Sequence, residues 1–282
     1  MLKIYDRDDI MNDYKLINGD CLEVLPTLER ETIDLVVTSP PYDNLRNYNK
    51  ELEWNFDIFK QIANELYGVI KDGGVVVWIV NDATINGSET GTSFRQALYF
   101  KEIGFNLHDT MIYHKKSLTF PEINRYYPCW EYMFILSKGK PKTTNLLKDR
   151  LNKSAGEKIT STTFRNKDGQ LFEGTGSKNN RRIKKWGVRF NIWSYETGFG
   201  KSAKNPIAHK HPAIFPLQLA KDHILSWSNP NDTVLDCFMG SGTTGVACLQ
   251  TNRNFIGIEK VEKYYDIAKQ RINEAKAQRR LI

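Results

Sequence analysis

The sequence predicts an α/β protein, an open and largely parallel sheet with helices on both faces. The run over 33–37 is apolar enough to be buried on both sides, as parallel strands usually are, 75–80 is a clear buried strand, and 254–258 is another strand. Segments of helical periodicity alternate with them. At 282 residues, with no internal repeat, the chain suffices for one large domain, or a domain carrying an inserted module.

The elements follow in order. Lys15-Leu16-Ile17-Asn18 reads as a strand closed by Gly19-Asp20, and Asp20 is placed to cap a helix over 21–28 that Pro26 disturbs. Residues 33–37 form the next strand and run into Thr38-Ser39-Pro40-Pro41-Tyr42. The polar stretch 43–49 is a candidate mobile loop over a site. Trp54, Ile58, Ile62, Leu66 and Val69 recur at helical spacing until Lys71-Asp72-Gly73-Gly74, and 75–80 is a strand. A helix over 92–103 stops at Gly104; strands are expected at 107–114 and 132–136.

From about Ser137 to Pro206 the pattern dissolves into Lys, Arg, Asn, Thr and Gly with recurring aromatics, too many for a mere linker. So long a structureless loop inside a compact domain is improbable, so 138–206 is expected to be an insertion with a small core of its own, dividing 1–137 from 207–282. Pro216 suits the first turn of a helix over 217–227. A strand over 233–237, a glycine-rich turn opening a helix through Leu249, a strand over 254–258 ending at Glu259, and an amphipathic basic helix over 261–280 complete the chain.

Net charge is +7, unevenly placed. Residues 138–210 hold 18 Lys and Arg against 5 Asp and Glu, whereas the remainder holds 22 against 28. A mildly acidic body with one basic segment suggests a polyanionic partner, best read as nucleic acid. No stretch approaches the ~18 apolar residues of a membrane helix, and the N-terminus lacks an apolar export region. Cys21, Cys129, Cys237 and Cys248 are scattered, which fits reduced thiols in the cytoplasm. No metal is expected, because His209, His211 and His223 lack clustered partners.

Two stretches carry chemistry. In Ser39-Pro40-Pro41-Tyr42 each proline fixes its own φ and biases the residue before it, so the backbone is stiff and a hydroxyl and a ring flank it. Such a loop suits an amino group on a planar partner, although alone it reads equally as a turn with a surface Tyr. The second is the order strand, Gly240-Ser241-Gly242, helix, strand, Glu259, which suits a nucleotide-type cofactor whose ribose hydroxyls a carboxylate accepts. Gly245 completes the dinucleotide spacing, so glycines alone leave NAD open. Asp236 would repel a pyrophosphate and favour a cationic group such as the amino group of S-adenosylmethionine. No phosphate loop of the NTPase type occurs.

Ser39-Pro40-Pro41-Tyr42 together with Asp236-Cys237-Phe238-Met239-Gly240-Ser241-Gly242-Thr243-Thr244 resembles the β class of amino DNA methyltransferases of bacteria and phages. The resemblance implies a Rossmann-like S-adenosylmethionine-dependent methyltransferase sheet, with 1–137 as catalytic half, 138–206 as target-recognition region and 207–282 as cofactor-binding half. It implies methyl transfer from S-adenosyl-L-methionine to an exocyclic nitrogen, with Ser39, Pro40, Pro41 and Tyr42 as the catalytic residues. Asp20, Cys21, Thr38, His211, Phe215, Asp236, Phe238, Gly240, Ser241, Gly242, Thr243 and Glu259 are the expected cofactor contacts. Lys178, Arg181, Arg182, Lys184, Lys185 and Arg189 are the expected DNA contacts. Cys237 and His211 depart from the family's frequent Pro and Lys.

The Ser39 hydroxyl and Pro40 carbonyl would accept the two N–H groups of a flipped base and free its lone pair, with Tyr42 stacked on the ring. Ser before Pro-Pro favours N4 of cytosine over N6 of adenine within the resembling family. A cysteine nucleophile has a weaker case, since Cys129 in Tyr127-Pro128-Cys129-Trp130 precedes an apolar strand. A DNA-binding module with a degenerate fold and an RNA methyltransferase are the competing classes. Double-stranded DNA is the expected partner; a companion restriction endonuclease and a monomer or homodimer are compatible with the resemblance.

Overall fold

The computed structural model describes residues 13–41, 54–116, 124–158, 163–173, 182–198, 200–203, 205–211 and 214–280. Tyr42, the loop over 43–49, Lys178 and Arg181 lie outside the described residues. The chain forms two compact units, Met1–Asn145 with Asn191–Ile282, and Leu146–Phe190.

The first unit starts with β1 (Tyr14–Asn18), α1 (Cys21–Val24), β2 (Ile33–Thr38), α2 (Phe56–Val69) and β3 (Ile70–Val80). A small hairpin of β4 (Thr84–Ile85) and β5 (Ser88–Glu89) leads to α3 (Thr92–Glu102), β6 (Asn106–Lys115) and β7 (Trp130–Ser137). The second unit holds β8 (Arg150–Leu151), β9 (Thr163–Arg165), β10 (Leu171–Glu173) and β11 (Trp186–Gly187). The first unit then resumes with β12 (Ile192–Tyr195), α4 (Leu217–Trp227), β13 (Thr233–Asp236), α5 (Thr243–Thr251), β14 (Asn254–Glu259) and α6 (Glu262–Arg280).

Eight strands make one sheet in the order β1-β14-β13-β2-β3-β7-β6-β12. Of these, β7 runs antiparallel to its neighbours β3 and β6, and the other pairs are parallel. Side chains along a strand alternate between faces. Val36, Val76, Trp78 and Val80 join Phe59, Ile62 and Leu66 of α2 and Phe100 of α3 in one core. The alternate set, Leu35, Val37, Val75, Val77 and Ile79, is equally buried. On that side His223 of α4 meets Met133 Sδ at 3.1 Å, and the Thr244 hydroxyl oxygen of α5 lies 3.4 Å from the Val37 carbonyl. Trp78 sits among Phe59, Phe100 and Phe238 and donates its indole N–H to Gln96 Oε1 at 2.8 Å. Cutting it to Ala costs about 3–5 kcal/mol.

The expected strands and helices form, with three differences. Asp20 Oδ1 caps α1 by accepting from the Leu22 N–H at 3.0 Å, but α1 lasts one turn because Pro26 diverts the chain into a 3₁₀ turn over Leu25–Thr27. β3 begins at Ile70 rather than 75, since Gly73 at φ 78° absorbs an irregularity in the ladder. Ile192–Tyr195, expected within a stretch without pattern, is a sheet-edge strand. Its buried Trp193 and Tyr195 alternate with exposed neighbours; Trp193 stacks on His223 and the Tyr195 hydroxyl donates to Asp222 at 2.7 Å.

The second unit is built of short antiparallel pairs, β8 with β11 and β9 with β10. Asn166 closes the β9–β10 hairpin by accepting from the amides of Asp168 and Gln170, with Gly169 at φ 79° supplying the left-handed step. Its surface carries Leu171, Phe172, Trp186 and Phe190, all exposed, with Arg150 over the Phe190 ring and Lys185 over Trp186.

Candidate active site

Parallel strands deliver their loops to one edge of a sheet, and ligands settle beyond the carboxyl ends. Here those ends are Asn18 of β1, Thr38 of β2, Asp236 of β13 and Glu259 of β14. The topology thus gathers Asp20 and Cys21, Ser39 to Pro41, Phe238 to Thr243, and Glu259, although up to 239 residues separate them.

Glu259 is the best-defined acceptor. Its Oε2 takes the Gly240 N–H at 2.8 Å and its Oε1 the Val261 N–H at 2.9 Å. Burial pushes its carboxyl up to about 7, with the two amides opposing and the charge of Asp236 adding to the rise. Asn18 Nδ2 and the Gly19 N–H donate to the Glu259 carbonyl, which locks the end of β1 to that of β14. Beside it Asp20 pairs with Lys260 at 2.9 Å. Burial favours the neutral acid, but the Leu22 N–H and Lys260 outweigh it and hold Asp20 below its usual range.

The glycine turn is shaped by close packing. Gly242 sits at φ 78°, and a Cβ there would stand 2.9 Å from Ala268 Cβ of α6. A Cβ on Gly245 would come within 2.8 Å of both Ile272 and Phe255, so the third glycine of the ambiguous dinucleotide pattern serves helix–sheet packing. Phe238 stands edge-on to Trp54 and Trp78, with centroids 5.5 and 6.2 Å away. His211 is buried, edge-on to Tyr264, and its ring closes over Gly240. Phe215 is half-buried just ahead of α4.

Asp236 turns inward. It is 1% exposed, and its oxygens accept the hydroxyls of Thr38 and Thr244, both at 2.7 Å, and the Phe238 N–H at 3.2 Å. Burial raises its pKa to about 6 against those three donors. Thr243 and Ser241 are also buried, in the grip of a residue that sequence reasoning missed. Arg271 of α6 donates to the Ser241 carbonyl and hydroxyl and the Thr243 hydroxyl, and burial lowers its pKa to about 10. Its Nε has no partner among the described residues. The basic helix was legible, but not which of its arginines turns inward.

Ser39 is half-buried, Pro40 buried and Pro41 half-buried just beyond the carboxyl end of β2. Cys21 is pushed up to about 12 by burial, and burial likewise raises Cys237 and Cys248 well above the ordinary thiol value, so these thiols stay protonated and unsuited to nucleophilic attack. Of the expected DNA contacts, Lys184 and Lys185 are exposed. Arg182 donates to the Gly156 carbonyl, and Arg189 grips both oxygens of Asp149, holding that carboxyl below its usual range. Lys178, Arg181 and Tyr42 lie outside the described residues. Among the described residues no helix is long and apolar enough to cross a membrane.

The residues present fit S-adenosylmethionine: a carboxylate at the second strand end with capacity left for ribose hydroxyls, a glycine turn braced from behind, and an aromatic ring at its lip. Residues 33–270 match the family model described as a DNA methylase of the N6/N4 methyltransferase type. The chain is 58% identical over 255 residues to the orphan methyltransferase M.BamHII of Bacillus amyloliquefaciens, covering 90% of each. It is 29% identical to the type II methyltransferase M.SmaI of Serratia marcescens, covering 92% of this chain and 90% of the relative. In fold it is similar to the cytosine-N4-specific PvuII DNA methyltransferase, with a TM-score of 0.68, 20% identity, and 94% and 92% of the two chains covered. The chain belongs to the N6/N4 DNA methylase family and is an S-adenosylmethionine-dependent, site-specific amino DNA methyltransferase of the β class.

Proposed function

We propose that the enzyme methylates N4 of cytosine in duplex DNA. The observation that carries this is Ser39 at the carboxyl end of β2, beside the β13–α5 turn, where the residue before Pro-Pro offers a hydroxyl and not a carboxylate. S-adenosylmethionine supplies a methyl group already activated on a sulfonium. Glu259 would accept the ribose hydroxyls, Asp20 and Phe238 would line the adenosine end, and His211 and Phe215 would face the methionine end. The Ser39 hydroxyl and Pro40 carbonyl would take the two N–H groups of the flipped cytosine, drawing the nitrogen towards a tetrahedral form with its lone pair aimed at the methyl. Tyr42 would stack on the ring, offsetting part of the few kcal/mol that flipping costs.

Residues 138–206 are proposed as the target-recognition region, with Lys178, Arg181, Arg182, Lys184 and Lys185 on phosphates or base edges. Arg189 would contact DNA only by sharing or leaving Asp149. N6-adenine methylation is the second reading, since either amino group fits a hydroxyl and a carbonyl. The 58% identical relative is named an orphan methyltransferase, which favours a solitary enzyme over one with a companion endonuclease. Digestion of methylated duplex DNA to nucleosides tests the base: N4-methylcytosine is expected, and N6-methyladenine would transfer the assignment to adenine.

A further inference from the structure

We propose that Thr38 and Asp236 are positioning residues whose buried hydrogen bond sets how Ser39-Pro40-Pro41 leaves β2, a claim that rests on Ser39 and Pro40 being the groups that hold the target amine. β2 and β13 are paired through Leu35–Val234 and Val36–Leu235, and their register ends there. Two residues on along β2 and one along β13, where each strand must turn into its own loop, the Thr38 hydroxyl donates to Asp236 Oδ1 at 2.7 Å and takes over from the ladder. On its other side β2 remains paired to β3 through Thr38–Trp78, so Thr38 is held from both neighbours. The next residue is Ser39.

The chemistry of the partner suits the task. A carboxylate accepts from several directions at once, and Asp236 uses this to bind three elements: β2 through Thr38, the cofactor turn through the Phe238 N–H, and the first turn of α5 through Thr244. Thr38 is fully buried and Asp236 nearly so, and their side-chain oxygens are engaged within the fold. The carboxylate thus joins the loop that holds the base to the turn that holds the cofactor. A 1 Å error between those loops is enough to cost on the order of 100-fold in rate.

The test compares four single variants in kcat, DNA KM, thermal stability and dissociation constant for S-adenosylhomocysteine. Thr38→Val keeps the shape and removes the donor; kcat is expected to fall about 10- to 100-fold with inhibitor affinity held within about twofold. Thr38→Ser should restore kcat to within about threefold. Thr244→Val takes the same hydrogen bond from the other oxygen, and its effect should fall on inhibitor affinity more than on kcat. Equal kcat losses in Thr38→Val and Thr244→Val, tracking stability, would reduce the pair to a structural role and overturn the proposal. So would wild-type kcat in Thr38→Val. If Thr38→Val does not fold, Thr38→Ala decides against Thr38→Ser: equal kcat in the two overturns the proposal, and a loss confined to Thr38→Ala supports it. Ser39→Ala separates the underlying assignment. Full activity there removes the catalytic loop and the proposal together, whereas an inactive Ser39→Ala beside a normal Thr38→Val removes the proposal alone.

Discussion

Glu259 shows how one side chain ties stability to ligand binding. Folded, its carboxyl holds its proton up to about pH 7 because burial penalises the charge; the ordinary value is 4.5. Between those limits the folded chain binds more protons than the unfolded one. Its contribution is therefore full below about pH 4.5 and is lost as pH rises through about 7. Asp236, raised to about 6, acts with the same sign. Thermal unfolding of the ligand-free protein should accordingly show a falling midpoint across this window, with a shallower fall in Glu259→Gln; parallel curves would contradict the assignment. Ribose hydroxyls donate best to the ionised form, so S-adenosylhomocysteine should bind the wild type more tightly as pH climbs through about 7 and bind Glu259→Gln with little pH dependence.

At the scale of elements, α6 braces the cofactor turn from behind. Arg271 holds Ser241 and Thr243, and Ala268 lies where a side chain on Gly242 would go. Arg271→Met removes charge-assisted hydrogen bonds and should weaken S-adenosylhomocysteine binding about tenfold, measured by calorimetry. Gly242→Ala forces a left-handed backbone and a clash together, and should cost about 1–3 kcal/mol in urea unfolding. These packing relations explain what the sequence could and could not disclose. The strand–turn–helix order, Glu259 and the Ser-Pro-Pro loop were legible because each is a local pattern whose residue types already state a chemistry. Arg271 was not, because inward and outward arginines on a basic helix look alike until α6 meets α5. The edge strand at Ile192–Tyr195 was hidden because four residues alternating beside Lys- and Asn-rich sequence give too short a period. Thr38 and Asp236 were both singled out, yet their mutual hydrogen bond spans 198 residues and follows only from β2 and β13 being neighbours.

Over the whole molecule, charge is divided between a mildly acidic remainder and a basic stretch over 138–210. Proteins that neutralise phosphates release condensed cations, so affinity for duplex DNA should fall steeply and linearly on a log–log plot against salt. Replacing exposed Lys184 and Lys185 with Gln should lessen that slope by roughly one for each phosphate no longer neutralised. An unchanged slope would place the DNA-binding cations elsewhere.

The central claim is that Ser39 and Pro40 present an exocyclic amine of DNA to the methyl donor. Its most direct measurement supplies methyl-labelled S-adenosylmethionine and duplex DNA to the wild type and to Ser39→Ala, then identifies the labelled nucleoside. Label is expected in N4-methylcytosine with wild type, with a drop of roughly 100-fold or more in a folded, cofactor-binding Ser39→Ala. Label on a ring carbon, or full transfer by Ser39→Ala, would contradict it.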